Sequence, residues 1–406
     1  MNLHLQPSVL NNVSEIAVTG SKSETNRLLL LQALYPNITL ENISKSDDSE
    51  VMTEALVGNN SIVDIHHAGT AMRFLTAYFS IQEDREIVLT GSSRMKERPI
   101  KILVDALKQL GATISYQENE GFPPIKIKGK KLTKNKVSLL ANTSSQYISA
   151  LLLIAPKLEN GLELTLEGEI TSVPYIRMTL ALLNEIGVET SFIDNIIKVN
   201  QKSTAVNQKL TIESDWSSAS YFYSVVALSV IGTQITLSSY KQNSLQGDVV
   251  LANIYKDFGV TTTFNHDTIV IAKTQNSNQK SSIFDLQSSP DIAQTIVVTC
   301  FGLGIGCYLT GLHTLKIKET DRLAALKTEL SKLGAIISVN NDSLTLEVSS
   351  IMNSNIAIAT YNDHRMAMAF APLALKVPII IENAEVVSKS FPTFWEDLKA
   401  IGFKIS

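Results

Sequence analysis

The sequence predicts an α/β protein of two domains, built from a repeated unit of two helices and several short strands. Three observations support this prediction. The chain has 406 residues, which exceeds the size of an ordinary single core. Its composition, 44% hydrophobic and 18% charged, is typical of a globular protein. A pattern of amphipathic helix, glycine and paired strands also recurs along the chain.

Each repeat is marked by a glycine that follows an amphipathic helix. The first of these glycines precedes two short strands at 113–116 and 125–128, and the second precedes strands at 189–192 and 196–199. Successive glycines are 76, 72, 75 and 68 residues apart. We expect each glycine to end its helix in the left-handed conformation. The glycines are Gly111, Gly187, Gly259, Gly334 and Gly402.

The copy nearest the N-terminus is shorter than the others. Its helix covers 50–56 and is followed by Gly58, which lies only 53 residues before Gly111. About twenty residues are missing relative to the other spacings, and the chain continues directly to a strand at 62–65. We infer that this repeat has lost a strand hairpin after Gly58.

A helix start near the N-terminus has the features of an anion site. Gly20 and Ser21 precede Lys22, and Ser23 and Arg27 follow in a segment that continues into four leucines. Free backbone N–H groups of the first helical turn would point toward the same space as both cations. A capped, solvated helix start is the alternative for any such segment considered singly.

Polar groups also stand at the starts of the other largely apolar helices, and two charged runs lie beside them. Each helix start alone is consistent with a cap, but a repeated architecture would bring several of them to one cleft. The charged runs either form solvated faces with local ion pairs or bind phosphate and carboxylate groups. The helix starts are at 67–73, 142–147, 215–220, 289–292 and 362–365, and the runs cover 92–99 and 315–322.

Charge and hydropathy argue against a nucleic-acid-binding protein and against a membrane-spanning one. The formal net charge of −4 makes nucleic acid an unexpected partner, so an anionic ligand must be attracted by a local cluster. The sequence has no early apolar segment after a basic start and no apolar run long enough to span a membrane, so we expect a cytoplasmic location. Cys300 and Cys307 lie in an apolar run, where buried thiols are expected.

Seven motifs, in order over nearly the whole chain, resemble those of the 5-enolpyruvylshikimate-3-phosphate synthase family. The resemblance implies the α/β two-domain enolpyruvyl transferase fold, an inside-out α/β barrel of six βαβαββ units, of which the unit ending near Gly58 is truncated. The motifs are GSKSETNR at 20–27, AGTAMR at 68–73, RMKERP at 94–99, SSQ at 144–146, KETDR at 318–322, NDHRMA at 362–367 and KSFP at 389–392.

The resemblance also implies where the domains lie. One domain covers 21–212 and carries most shikimate 3-phosphate contacts. The second covers 1–20 and 213–406 and carries the acid–base residues and much of the phosphoenolpyruvate site. The active site is expected in the interdomain cleft. Because many cations repel one another in an empty site, we expect an open, mobile ligand-free form that closes on binding.

The implied reaction transfers the enolpyruvyl group of phosphoenolpyruvate to the 5-hydroxyl of shikimate 3-phosphate. It proceeds through a tetrahedral ketal, releases phosphate, and belongs to the shikimate pathway to chorismate and the aromatic amino acids. By similarity, Asp291 and Glu319 form the acid–base pair, with Lys22 near the reacting centre; which carboxylate acts in which proton transfer stays open. The resemblance implies no metal or organic cofactor, no nucleic acid or membrane partner, and a monomer.

Two sets of binding residues follow from the resemblance. Arginine binds carboxylate through two parallel bonds, serine hydroxyls donate to phosphate, and a tyrosine can lie against the substrate ring. The phosphoenolpyruvate set is Lys22, Gly69, Arg94, Gln146, Arg322, Arg365 and Lys389. The shikimate 3-phosphate set is Lys22, Ser23, Arg27, Ser144, Ser145, Gln146, Ser172, Tyr175, Asp291 and Lys318.

Three positions depart from the family pattern. His67 and Thr314 stand where asparagine is usual, and Phe74 stands where proline is frequent. These changes can weaken substrate contacts or alter the response to the family's inhibitor glyphosate. The sequence does not predict that response.

Two other functions remain open. A UDP-N-acetylglucosamine enolpyruvyl transferase would share the fold, but no cysteine lies near 94–99 to match its reactive loop. A non-catalytic binding protein of the same fold is suggested by the lost hairpin. Retention of Lys22, Asp291, Glu319 and Lys389 together argues against it.

Overall fold

The chain folds into two lobes in the computed structural model, which describes residues 1–140, 144–168, 170, 173–204 and 206–406. Lobe 1 comprises Met1–Gly20 and Glu213–Ser406, and lobe 2 comprises Ser21–Ile212. Helices and strands alternate in both lobes, so the predicted α/β class is confirmed.

The strands are short and spread over the whole chain. In chain order they are β1 (Leu3–Gln6), β2 (Val13–Ile16), β3 (Ile38–Glu41), β4 (Ile62–Asp64), β5 (Glu86–Thr90), β6 (Thr113–Tyr116), β7 (Ile125–Lys128), β8 (Lys136–Leu140), β9 (Leu162–Glu167), β10 (Thr190–Ile193), β11 (Ile196–Val199), β12 (Gln208–Thr211), β13 (Gln234–Ser238), β14 (Val260–Asn265), β15 (Thr268–Lys273), β16 (Ser281–Asp285), β17 (Gly306–Thr310), β18 (Ile337–Val339), β19 (Leu344–Leu346), β20 (Ile356–Ile358), β21 (Ile379–Ile381) and β22 (Lys404–Ile405).

The helices lie between these strands. They are α1 (Lys22–Leu34), α2 (Asp47–Val57), α3 (Gly69–Ser80), α4 (Ser93–Lys96), α5 (Lys101–Leu110), α6 (Ser145–Ile154), α7 (Val173–Glu185), α8 (Trp216–Leu228), α9 (Leu251–Ile254), α10 (Ala293–Leu303), α11 (Arg322–Lys332), α12 (His364–Phe370) and α13 (Phe394–Ala400). Short 3-10 helices occupy Ala155–Lys157, Gly247–Val250, Pro290–Ile292, His313–Ile317, Ala371–Leu375 and Ala384–Lys389.

The four-stranded sheets share one topology, which matches the predicted βαβαββ repeat. In the sheet of order β10-β11-β9-β8, β8 and β9 are parallel and are joined through α6, and β11 and β10 complete the sheet as an antiparallel hairpin. The same arrangement of a parallel pair followed by two antiparallel partners occurs in the orders β4-β5-β7-β6, β16-β17-β19-β18, β2-β13-β15-β14 and β20-β21-β1-β22.

The truncated repeat is present where the sequence places it. Helix α2 ends at Val57, and after Gly58 the chain proceeds to β4 at Ile62 without an intervening hairpin. The sheet of this repeat consists of β12 and β3 alone, paired in parallel. At the start of β3, the Ile38 carbonyl accepts from Gln32 at 2.8 Å and the Ile38 N–H donates to the Tyr35 carbonyl at 3.0 Å. Both backbone groups of this residue therefore have local partners.

All five repeat glycines have a left-handed or otherwise positive φ, between 77° and 115°, as predicted. Two of them differ in their surroundings. A Cβ atom at Gly259 would lie 1.9 Å from the Gln275 carbonyl oxygen, whereas a Cβ atom at Gly111 would meet no atom within 4 Å. Close backbone approach is therefore an additional requirement at Gly259 that Gly111 does not have.

The hydrophobic core of lobe 1 combines helix bodies with the buried faces of strands. In lobe 1, α8 and α10 are buried along nearly their whole length, and Trp216 and Tyr223 of α8 are fully buried. Cys300 and Cys307 are buried free thiols, as predicted. In the described part of the chain, the helices are too short or too polar to cross a membrane.

The two glycines provide a test of this geometry. We expect Gly259→Ala to lower the free energy of unfolding by about 2–4 kcal/mol, because it combines an unfavourable φ with a backbone clash. Gly111→Ala, which carries only the φ penalty, should cost about 1 kcal/mol. Urea unfolding of both variants measures the difference, and equal losses would contradict the close approach at Gly259.

Candidate active site

The start of α1 places Lys22 beside a carboxylate. Helix α1 begins at Lys22, and the Lys22 Nζ lies 3.4 Å from Asp48 Oδ2, with side chains 21% and 9% exposed. Asp48 is in the first turn of α2, which Ser46 caps by accepting from the Ser49 N–H. Asp48 was not among the predicted site residues, because the predicted helix began at residue 50 and the observed one begins at Asp47. The Ser-Asp-Asp run at 46–48 is the cap signal that could have found it.

Arg27 is buried and holds three helices of lobe 2 together. Its Nε donates to Thr179 Oγ1 of α7 at 2.8 Å, its Nη2 donates to Ser149 Oγ of α6 at 2.9 Å, and its Nη1 donates to the Ser23 carbonyl at 2.7 Å. Its guanidinium also lies 5.9 Å from the ring centroid of Tyr175. Burial lowers the pKa of Arg27 to about 10, which still leaves it protonated at neutral pH. These hydrogen-bond acceptors are neutral, so they do not cancel its charge.

The starts of α3 and α6 meet in the same lobe. Gln146 Nε2 donates to Thr70 Oγ1 at 3.2 Å, and Ser144 caps α6 by accepting from the Gln146 N–H. At Gly69, a Cβ atom would lie 2.5 Å from Arg98 Nη1, so the glycine allows this guanidinium to lie against the first turn of α3. The structure therefore brings Gly69, Gln146 and Arg98 together, and Arg98 was not in the predicted set.

Two other predicted residues of lobe 2, Arg94 and Ser145, differ in their exposure to solvent. Arg94 is exposed and pairs with Glu97 at 2.8 Å within its own short helical turn. Ser145 is buried in the first turn of α6. Ser172, together with positions 142 and 143 of the predicted helix start at 142–147, lies outside the described residues.

Lobe 1 holds a dense network of carboxylates and cations around Arg322. The Arg322 side chain is 2% exposed. Its Nη1 donates to Asp291 Oδ1 at 2.8 Å, its Nη2 to Glu319 Oε2 at 2.7 Å, and its Nε to Asp363 Oδ2 at 2.7 Å. Burial alone would lower the pKa of Arg322, but Asp363, Glu319 and Asp291 raise it. The guanidinium thus fixes both predicted acid–base residues relative to the start of α12.

Asp291 is shared by three cations. Besides Arg322, the Lys318 Nζ lies 3.4 Å from Asp291 Oδ1, and the Arg365 Nη2 lies 3.4 Å from Asp291 Oδ2. The Arg365 Nη1 also donates to the Asp291 carbonyl at 3.1 Å. Lys389 completes the group by donating from Nζ to the Asn362 carbonyl at 2.7 Å. Six predicted site residues of lobe 1 therefore converge: Asp291, Lys318, Glu319, Arg322, Arg365 and Lys389.

Asp248 is a buried carboxylate of this network that was not among the predicted site residues. It accepts a short hydrogen bond from the Ser217 hydroxyl, and Arg365 Nη2 donates to the same hydroxyl at 3.3 Å. Burial, followed by the charge of Asp291, raises the pKa of Asp248 to about 6, although Arg365 opposes this effect. Its position after a glycine in a 3-10 turn gave no periodic signal in the sequence.

The three residues that depart from the family pattern have distinct surroundings. The His67 Nε2 lies 3.9 Å from Asp47 Oδ2. Phe74 is fully buried, and its ring centroid lies 5.4 Å from the Arg27 guanidinium carbon. The Thr314 hydroxyl is buried and has no hydrogen-bond partner among the described residues.

The Arg322 network predicts a large stability effect. Arg322→Met leaves Asp363, whose side chain has no exposed surface, without its cation. We expect a loss of about 3–5 kcal/mol in the free energy of unfolding, because a buried charge without a partner is strongly unfavourable. Arg94→Met breaks an exposed pair and should leave the urea midpoint unchanged. Similar midpoints for the two variants would contradict the network.

Asp248 predicts a pH dependence of stability. Its pKa is about 6 in the folded protein against an ordinary value of 3.8, so the folded state keeps a proton that the unfolded state has lost between these pH values. This contribution to stability is present below about pH 4 and is lost as the pH rises through about 6. Asp248→Asn removes the loss, so the variant should gain about 2–3 kcal/mol relative to the wild type from about pH 4 to about pH 6.5.

Urea unfolding at several pH values measures this difference. Asp267→Asn, which changes an exposed carboxylate, is the control and should follow the wild type throughout. An Asp248→Asn difference that does not vary with pH would contradict the assignment.

The chain is similar to known proteins over nearly its whole length. The sequence profile described as EPSP synthase (3-phosphoshikimate 1-carboxyvinyltransferase) matches residues 56–398. The chain is 46% identical to a 3-phosphoshikimate 1-carboxyvinyltransferase from Bacteroides fragilis, with 96% of this chain and 95% of the relative covered. It is 37% identical to the enzyme of that name from Actinobacillus pleuropneumoniae, covering 95% and 96% of the two chains.

Solved structures agree with this relationship at the level of the fold. An EPSP synthase structure from Acinetobacter baumannii matches with a TM-score of 0.80 at 22% identity, covering 100% of this chain and 99% of the other. The enolpyruvyl transferase NikO from Streptomyces tendae matches with a TM-score of 0.73 at 14% identity, covering 100% and 98%. From the sequence matches and the shared fold, the chain belongs to the EPSP synthase (3-phosphoshikimate 1-carboxyvinyltransferase) family.

Proposed function

We propose that this protein transfers the enolpyruvyl group of phosphoenolpyruvate to the 5-hydroxyl of shikimate 3-phosphate, giving 5-enolpyruvylshikimate 3-phosphate and phosphate. Family membership supports the reaction. The observation that carries it in the structure is the Arg322 network, which holds two carboxylates, Asp291 and Glu319, among four cationic side chains.

The reaction makes three chemical demands. A proton must reach the methylene carbon of phosphoenolpyruvate, which creates an oxocarbenium-like centre. The 5-hydroxyl must lose a proton as it adds to this centre, and the ketal that forms must expel phosphate. Cations must also bind two phosphate groups and one carboxylate while charge develops.

We assign the proton transfers to Asp291 and Glu319, with Lys22 as a third catalytic group. Asp291 and Glu319 each accept a hydrogen bond from Arg322, which fixes the position of one carboxylate relative to the other. The assignment leaves open which carboxylate serves the carbon and which serves the hydroxyl. Lys22, beside Asp48, belongs to lobe 2, so the proposal requires residues of both lobes to serve one reaction.

The cations of lobe 1 suit the phosphoenolpyruvate end of the reaction. Arg365 and Lys389 have contacts to neutral carbonyl groups, at Asp291 and Asn362, so part of their donor capacity is directed at uncharged acceptors. Arg322 is a further cation of the same network, and its own donors are used by carboxylates. The proposed phosphoenolpyruvate set remains Lys22, Gly69, Arg94, Gln146, Arg322, Arg365 and Lys389.

Shikimate 3-phosphate is proposed to bind chiefly through lobe 2. Ser144 and Ser145 stand at the N-terminal end of α6, where backbone N–H groups and the helix dipole favour a phosphate. Arg27 stabilises the same region from a buried position, and the Tyr175 ring lies near its guanidinium. The proposed set also contains Lys22, Ser23, Gln146, Ser172, Asp291 and Lys318. The setting we propose is a cytoplasmic monomer without cofactor, nucleic acid or membrane partner.

Phosphate release tests the reaction. Release from phosphoenolpyruvate should require shikimate 3-phosphate and should not occur with UDP-N-acetylglucosamine as acceptor. Glu319→Gln should lower kcat by about 100- to 10,000-fold, because it removes an acid–base group while keeping the shape of the side chain. Glu347→Gln changes an exposed carboxylate and serves as the matched control, with wild-type activity expected.

Three results would contradict the proposal. No release with either acceptor, from folded protein, would favour a binding protein of the same fold. Release with only the UDP-sugar would favour the sister transferase. Full activity of the Glu319→Gln variant would refute the role of Glu319.

A further inference from the structure

Helix α11 carries a second buried charged residue, Glu329, two turns after Arg322. Arg322 and Glu329 are seven residues apart, so they lie on the same face of the helix. Arg322 is 1% exposed and Glu329 has no exposed surface. Arg322 contacts predicted site residues directly, whereas Glu329 has no role in the assignments above.

Glu329 binds the segment that connects β20 to α12. Its Oε1 accepts from the Tyr361 hydroxyl at 2.6 Å, and its Oε2 accepts from the Ala359 N–H at 3.2 Å. Lys332, on the next turn, donates to both carboxylate oxygens at 2.9 and 2.7 Å and balances the charge. The carboxylate therefore connects Lys332 of α11 to residues 359 and 361.

The segment has an uncommon backbone conformation. Tyr361 and Asn362 are consecutive residues with φ of 55° and 56°, in the left-handed region that side-chain-bearing residues rarely occupy. Such a conformation persists only where the surroundings hold it. Tyr361, the first of these two residues, donates the hydrogen bond to Glu329, so this bond holds the turn directly.

The same turn carries the contacts of three proposed site residues. The Asn362 carbonyl accepts from Lys389, Asp363 Oδ2 accepts from Arg322, and Asp363 Oδ1 accepts from the Arg365 N–H at 2.9 Å. A shift of the turn would displace the acceptors of the Lys389 ammonium and the Arg322 guanidinium, and it would move the first turn of α12, which carries Arg365. These cations, Lys389, Arg322 and Arg365, all belong to the proposed phosphoenolpyruvate set.

Tyr361 stays a donor over the working pH range. Burial and the Glu329 carboxylate raise the pKa of Tyr361 to about 12. The phenol is therefore protonated at neutral pH, and the hydrogen bond to Glu329 is a charge-assisted one.

We propose that Glu329 and Tyr361 are positioning residues for phosphoenolpyruvate: they hold the 359–363 turn so that Lys389, Arg322 and Arg365 stand at binding geometry. This inference rests on the proposed function and adds residues that do not touch the substrate. It assigns them to one substrate only, because Lys389 and Arg365 belong to the phosphoenolpyruvate set alone.

Tyr361→Phe is the deciding variant, since it removes one hydroxyl from a side chain that is 38% exposed. Tyr308→Phe is the matched control, because Tyr308 is 39% exposed and lies on β17, outside the network. We expect Tyr361→Phe to raise the KM for phosphoenolpyruvate by about five- to tenfold, which is less than the full loss of a hydrogen bond to a charged group because Tyr361 is partly exposed to solvent. The KM for shikimate 3-phosphate should stay at the wild-type value, whether or not the melting temperature falls. Glu329→Gln should likewise raise the KM for phosphoenolpyruvate and leave the KM for shikimate 3-phosphate unchanged.

A double-mutant cycle tests whether Tyr361 affects phosphoenolpyruvate binding through Lys389. If Tyr361 acts through the Asn362 carbonyl and Lys389, its removal should change the KM for phosphoenolpyruvate by less than about twofold in a Lys389→Met background. Independent, multiplicative effects would overturn this route.

The outcomes separate the inference from the proposed function. An active wild type in which Tyr361→Phe changes both KM values equally, or changes only the melting temperature, or changes nothing, overturns the positioning role while the proposed function stands. A folded wild type that releases no phosphate with shikimate 3-phosphate overturns the proposed function, and the positioning role is rejected with it.

Discussion

Arg322 is almost completely buried and yet contacts three carboxylates that come from separate elements of lobe 1. Removing a guanidinium and carboxylates from water is unfavourable, and only the full set of short contacts compensates for it. The 3-10 turn at 290–292, the loop before α11 and the start of α12 must therefore keep their mutual positions. The geometry of Asp291 and Glu319 follows from this constraint.

The charge balance of that network bears on how anions can bind. Asp291, Glu319 and Asp363 oppose Arg322, Arg365 and Lys318, so these groups nearly cancel. Lys389 contacts a neutral carbonyl through the hydrogen bond to Asn362, which leaves its charge uncompensated by that contact. The turn that carries Asn362 is held by Glu329 and Tyr361, so positioning and charge are connected through one backbone segment.

In lobe 2 the buried arginines are paired with neutral hydrogen-bond acceptors, unlike Arg322 in lobe 1. Arg27 and Arg73 are both buried, and burial lowers the pKa of each to about 10, but both remain protonated at neutral pH. Their hydrogen bonds go to neutral groups. The acceptors include the Thr179 and Ser149 hydroxyls for Arg27, and the Gly69 and Pro99 carbonyls and the Met95 sulfur for Arg73. Because these acceptors carry no formal charge, they do not neutralise the positive charges of Arg27 and Arg73. A chain of net charge −4 can thus still present a locally positive surface to a phosphate.

The sequence by itself determined the repeat, the truncation after Gly58 and the helix-terminating glycines, because these depend on local periodicity and on backbone conformations that glycine favours. It also indicated the family through motifs that keep their order. Only the tertiary structure decided that Asp48 lies beside Lys22, that Asp248 reaches Arg365 through Ser217, and that Glu329 holds Tyr361. These partners lie between 26 and 148 residues apart in the chain, and no local pattern specifies which side chains will share a buried space once the helices and sheets have packed.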